Sequence, residues 1–205
     1  MSFFAHNLSP EKWWHCSHPV VCVVDIAGVC ASLTALFFVE TLMAQLFVAA
    51  VAMQFGVSFL YHRRYDSLVL QSVDISLIML LIVATVLPYL ELQIADNLLT
   101  WQLLVAMTLS IFCLGLLLKV RLTILIAVTQ AMFGCVSIWV MIGISEHIGT
   151  SLAFIFWFGV FLYTLQMFTF YVGKIHFNAI VREVQHGALL LPTTQIHVWL
   201  AAYLF

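Results

Sequence analysis

Seven apolar stretches, each about as long as a bilayer-spanning helix, follow one another along the 205 residues with only short polar breaks between them. They lie near 19–38, 42–61, 69–90, 98–118, 122–142, 150–172 and 185–205. At 1.5 Å of rise per residue, about 20 residues cross the roughly 30 Å of bilayer hydrocarbon as a helix. Hydrophobic residues make up 64% of the chain and charged residues 8%; soluble domains run near 45–50% and about 25%. A soluble globular domain is excluded. The expected fold is all-α, a polytopic membrane protein with seven transmembrane helices over 19–205, preceded by a tail over 1–18. That tail, MSFFAHNLSPEKWWHCSH, lacks an apolar core followed by a small-residue cleavage site, so the first apolar stretch is expected to be a retained helix.

The charges orient the expected helices. All seven positive residues (Lys12, Arg63, Arg64, Lys119, Arg121, Lys174 and Arg182) fall in the tail or in the breaks after the second, fourth and sixth stretches. The other breaks hold Glu40, Glu91, Asp96 and Glu146 and no Lys or Arg. Cytoplasmic loops carry the excess of Lys and Arg, so the N-terminus is expected in the cytoplasm and the C-terminus outside. A formal charge of −2 sets nucleic acid aside as a partner and leaves membrane lipids. The short loops suit the inner (plasma) membrane of a bacterium. Five cysteines, most of them inside apolar runs, are expected to act as small hydrophobes with no structural disulfide. Pro88 and Pro192 are expected kinks. The glycines are few and form no GxxxG pair.

Ionisable groups inside a membrane are costly and mark function by default. Ser58 and His62 stand at i, i+4 at the cytoplasmic end of the second stretch, so they share a helix face. Asp74 lies one to two turns into the third stretch from the same side. Arg182 and His186, also at i, i+4, open the seventh with Glu183 beside them. Three helices thus bring polar groups to one layer. Two imidazoles and a carboxylate are suitable ligands for Zn²⁺, which keeps an open position when catalytic. The plainer reading of an interfacial histidine is a snorkelling or hydrogen-bonded residue. Ser58 alone also suits helix packing, whereas buried Asp74 requires a cation or a proton. Asp25 and His18 could reach the same cavity, and Asp25 alone reads as a residue supporting the site or contacting a helix. His197, roughly three turns beyond His186, lies too far along the helix to share a metal and is expected to hydrogen-bond a neighbouring helix. His6, His15 and His176 are expected in tail or loop, and the aromatic run FIFWFGVFLY to face lipid or helix.

The motifs SFLYH (58–62), DISLIMLLIVATVLP (74–88), FGVFLYTLQMFTFY (158–171) and REVQH (182–186) resemble, in order and helix position, the hemolysin III branch of the progestin and adiponectin receptor family. The resemblance covers roughly 18–205 and extends to the superfamily that includes the alkaline ceramidases. It implies seven membrane helices with S-x-x-x-H in the second, an Asp in the third and H-x-x-x-H in the seventh, the three histidines holding zinc near the cytoplasmic side. On that pattern His62 and His186 are zinc ligands, Asp74 partners the metal-bound water and Ser58 supports the site. The chain departs from the pattern at Arg182, which stands where a ligand histidine is expected, and a guanidinium does not ligate zinc.

Two expectations follow. In one, zinc is held by His62, His186 and a substitute such as Asp74 or His18, and the protein hydrolyses a lipid amide or ester, releasing a fatty acid. In the other, Arg182 pairs with Asp74 in place of the metal, and the protein is a non-catalytic membrane-homeostasis or receptor-like relative. No amphipathic stripe supports a cytolytic pore. A retinal protein would need a mid-membrane Lys in the last helix, and a G-protein-coupled receptor the opposite orientation.

Overall fold

The computed structural model describes residues 19–63, 67–90, 148–176 and 179–205, together with Ile142. Every long element among them is an α-helix: α1 Pro19–Ala35, α2 Leu42–Arg63, α3 Leu68–Ala84, the short α4 Leu87–Leu90, α5 Thr150–His176 and α6 Ala179–Leu204. The expected stretches at 98–118 and, apart from Ile142, 122–142 lie outside the described residues, as do His6, His15 and His18.

Local chemistry sets the helix boundaries. α1 opens on Pro19, whose fixed φ suits a first helical position and whose missing N–H costs nothing there. It closes by tightening: Phe37 N–H donates to Thr34 O (3.2 Å) and Phe38 N–H to Ala35 O (2.9 Å), so the last orphan carbonyls are used by i→i+3 bonds. The N–H groups of Glu40 and Thr41, just before α2, donate to the carbonyl of Phe205 at 2.7 and 3.2 Å. The α1–α2 turn and the end of α6 therefore lie at one end of the bundle. α3 stops at Ala84, four residues before Pro88, where the proline ring would clash with the carbonyl of a continuing helix. The expected kink is a two-residue break. At Pro192, α6 continues without a break, and the hydroxyls of Thr193 and Thr194 donate to the carbonyls of Leu189 and Leu190 beside it. Gly149 precedes α5 at φ 79°, and its carbonyl accepts from Ala153 N–H at 2.9 Å.

Two boundaries differ from the apolar stretches. α5 runs to His176 and α6 begins at Ala179, so Lys174, His176, Arg182 and Glu183 are helical rather than in a loop. Apolar runs mark the part of a helix matched to hydrocarbon; the backbone ladder continues past it. The expectation of no disulfide also gives way: Cys22 is disulfide-bonded, while Cys30 is a free, exposed thiol. Counting cysteines in apolar runs does not test whether two stand close enough to bond.

α1 packs against α2 and α6, α2 also against α3, and α6 against α5. The apolar core gathers Ala35, Val39, Ala44, Phe47, Val48, Val51, Phe55, Ala84, Val198 and Ala201, mostly towards the end where α1 closes and α2 opens. Outside it the usual polarity is inverted. Phe37, Phe38, Leu42, Phe154 and Phe161 are exposed, whereas Asp25, Ser32, Gln54, Ser58 and Asp74 are buried. The α1 face that turns inward (Val21, Cys22, Asp25, Gly28, Ser32, Ala35) is its more polar one. α2 is long and apolar enough to cross a membrane.

Candidate functional site

Towards the end opposite the apolar core, α2 presents Gln54, Ser58 and His62 at successive i, i+4 positions, a single polar stripe on one face. α1 faces this stripe with Asp25 and α3 with Asp74, and both carboxylates are buried, Asp25 completely and Asp74 at 7% exposure. Buried polar groups need partners, and here they find one another. His62 Nδ1 lies 3.0 Å from Asp25 Oδ2 and 3.3 Å from Ser58 Oγ. Gln54 Nε2 donates to Asp74 Oδ1 at 3.0 Å. Ser58 is also near enough to both carboxylates to interact with each.

The atoms decide what this cluster can do. With Asp25 ionised its carboxylate only accepts, and the 3.0 Å contact is then donated by Nδ1 of His62. Ser58 meets the same nitrogen as Asp25. A serine-histidine-aspartate relay needs the serine on one ring nitrogen and the aspartate on the other. Ser58, His62 and Asp25 are therefore not such a relay, although all three residue types are present. A carboxylate on one ring nitrogen is instead the arrangement that orients a metal-ligating histidine and raises its basicity. Among the described residues no three His, Cys, Asp or Glu side chains form a metal-holding group. Asp25 Oδ1 and Gln54 Oε1 are buried acceptors with no hydrogen-bond partner among the described residues.

The sequence-expected residues fare as follows. Ser58, His62 and Asp74 meet in one cluster, and Asp25 joins it through direct contact with His62. Arg182 and His186 lie on α6, but their side chains are outside the described set, as is His18 altogether. Gln54 was not singled out, although it stands four residues before Ser58 on the same stripe. His197 does not make the expected hydrogen bond to a neighbouring helix. Among the described residues its buried Nδ1 has no hydrogen-bond partner, and the ring packs edge-on against Phe156 of α5 at 4.8 Å. The absent Cβ of Gly159 leaves room for this: one placed there would lie 2.6 Å from His197 Nε2. Phe156 also meets Tyr89 edge-on at 5.4 Å, while Phe154 and Phe161 of the aromatic run face outward.

No family model, curated protein or solved structure matches the chain.

Proposed function

We propose that the chain is a seven-helix protein of a bacterial inner membrane and a zinc-dependent hydrolase of lipid amide or ester bonds, with its site near the cytoplasmic face. The observation that carries the reading is the buried Asp25 carboxylate on Nδ1 of His62, the contact that orients a metal-ligating histidine, with Ser58 on that same nitrogen and not on the opposite one that a serine relay requires. The membrane part is supported by the inverted polarity of the helices, with aromatic and aliphatic side chains outside and carboxylates inside. The resemblance of the SFLYH, DISLIMLL and REVQH segments to the hemolysin III branch supports both parts.

His62 and His186 would be the nitrogen donors, with His18 or Asp74 taking the place left by Arg182. Zinc, when bound, supplies a Lewis acid that brings the pKa of water towards neutrality. Asp25 holds the ring of His62 in one tautomer. Gln54 holds Asp74 by Oδ1, and the carboxylate it positions would take a proton as a general base. Ser58 and Arg182 are suited to the negative charge that develops on the carbonyl oxygen of an acyl substrate. The apolar exterior lets such a substrate arrive from the lipid. In the second reading Arg182 would pair with Asp74, and no observation among the described residues favours it.

The test is release of free fatty acid from lipid amides and esters in mixed micelles, read by mass spectrometry. Wild-type protein is expected to release it from at least one class, and folded Asp74→Asn and His62→Ala protein from none. Wild-type protein inactive on both classes would count against the hydrolase.

A further inference from the structure

The Asp25–His62 contact depends on how closely α1 and α2 approach, and on that interface the bare backbone of Gly28 meets Phe55 of α2. A Cβ built on Gly28 would lie 2.5 Å from Cγ and Cδ2 of Phe55 and 2.6 Å from Cδ1. Carbon atoms in contact sit about 3.5–4.0 Å apart, so the ring lies against the bare backbone of α1. It has nowhere to retreat: Phe55 is 1% exposed and packed into the apolar core with Val51 and Val48. Gly28 is one turn from Asp25 on the inward face of α1. Phe55 is two turns from His62 on α2, with Ser58 between them. The two helices run antiparallel here, so the glycine-phenylalanine contact stands beside the carboxylate-imidazole contact.

We propose that Gly28 is a positioning residue: by admitting the Phe55 ring it sets the α1–α2 separation at which Asp25 reaches His62. A methyl group at Gly28 requires the helices to part by about 1 Å to restore ordinary contact distance. A 3.0 Å hydrogen bond lengthened by that amount is no longer one. The consequence for metal holding rests on the zinc reading above. The contact itself does not, so the two can fail separately.

The experiment is NMR of ¹⁵N-histidine-labelled, full-length protein in detergent without added metal. It follows the downfield proton on Nδ1 of His62, assigned by its absence in His62→Gln. Gly28→Ala is expected to lose the resonance, and Gly28→Ala combined with Phe55→Ala to recover it, because Ala carries no Cγ or Cδ to meet the methyl. Gly56→Ala, where an added Cβ meets nothing within 4 Å, is expected to keep it. If Gly28→Ala alone does not fold, the double variant carries the test. Persistence of the signal in folded Gly28→Ala overturns the proposal, and so does a double variant that folds without the signal or fails to fold.

Discussion

Asp25 of α1 and His62 of α2, thirty-seven residues apart, share a 3.0 Å hydrogen bond through Nδ1 of the imidazole. A carboxylate so placed orients a metal-ligating histidine, and Ser58 meets the same nitrogen rather than the opposite one that a serine relay would use. In Asp25→Asn the shape is kept and the charge removed. Removing the carboxylate behind a zinc-ligating histidine weakens metal binding by about 10–100-fold. That loss is the expected outcome, measured by competition with a chromogenic chelator.

Gln54 holds Asp74 by a single hydrogen bond from Nε2, in a site where neither group is open to water. Hydrogen bonds to charged groups contribute about 1.5–3 kcal/mol. Gln54→Leu is therefore expected to destabilise the protein by about 2 kcal/mol, read from denaturant-induced unfolding in detergent. Adding Asp74→Leu should recover much of that loss, because it removes the buried carboxylate that has lost its Gln54 donor.

The aromatic run of α5 divides into an inner and an outer face. Phe156 is fully buried between Tyr89 and His197, so Phe156→Ala opens a cavity and is expected to cost about 3–5 kcal/mol. Phe154 is 72% exposed. Phe154→Ala is expected to change stability by less than about 0.5 kcal/mol. A thermal unfolding series in detergent separates the two.

The charge distribution predicts opposite sides for the two termini. Alkaline phosphatase fused after Phe205 is expected to be active, since it folds outside the cytoplasm, and green fluorescent protein at the same place dark. The reverse pattern would count against N-in, C-out orientation. The Phe205 carbonyl accepts from Glu40 N–H and Thr41 N–H, so the α1–α2 turn and the end of α6 lie at one end of the bundle.

Most of what placed the site was local and therefore legible in the sequence. Ser58 and His62 at i, i+4 read as a pair, and they are one. The break at Pro88 follows from the proline ring alone. Gln54 continued the same i, i+4 stripe and could have been found by extending it one turn. Other features depend on what stands across an interface. Asp25 carried no pattern linking it to His62. Gly28 and Gly159 looked scattered because each is defined by the ring lying on it, not by spacing to another glycine. His197 was expected to satisfy its nitrogens, yet the neighbouring surface on α5 offers an aromatic edge. The chemistry beyond Asp25, His62 and Asp74 rests on Arg182 and His186, whose place on α6 the sequence indicated and whose side chains lie outside the described residues.

The most direct measurement is the zinc content of detergent-purified protein, prepared without chelators and compared with His62→Ala and His186→Ala. About one zinc per chain in the wild type, lost in both variants, is the expected result for a site that tolerates Arg182. Wild-type protein that holds no zinc and binds none on titration would contradict the metal site and the hydrolase built on it.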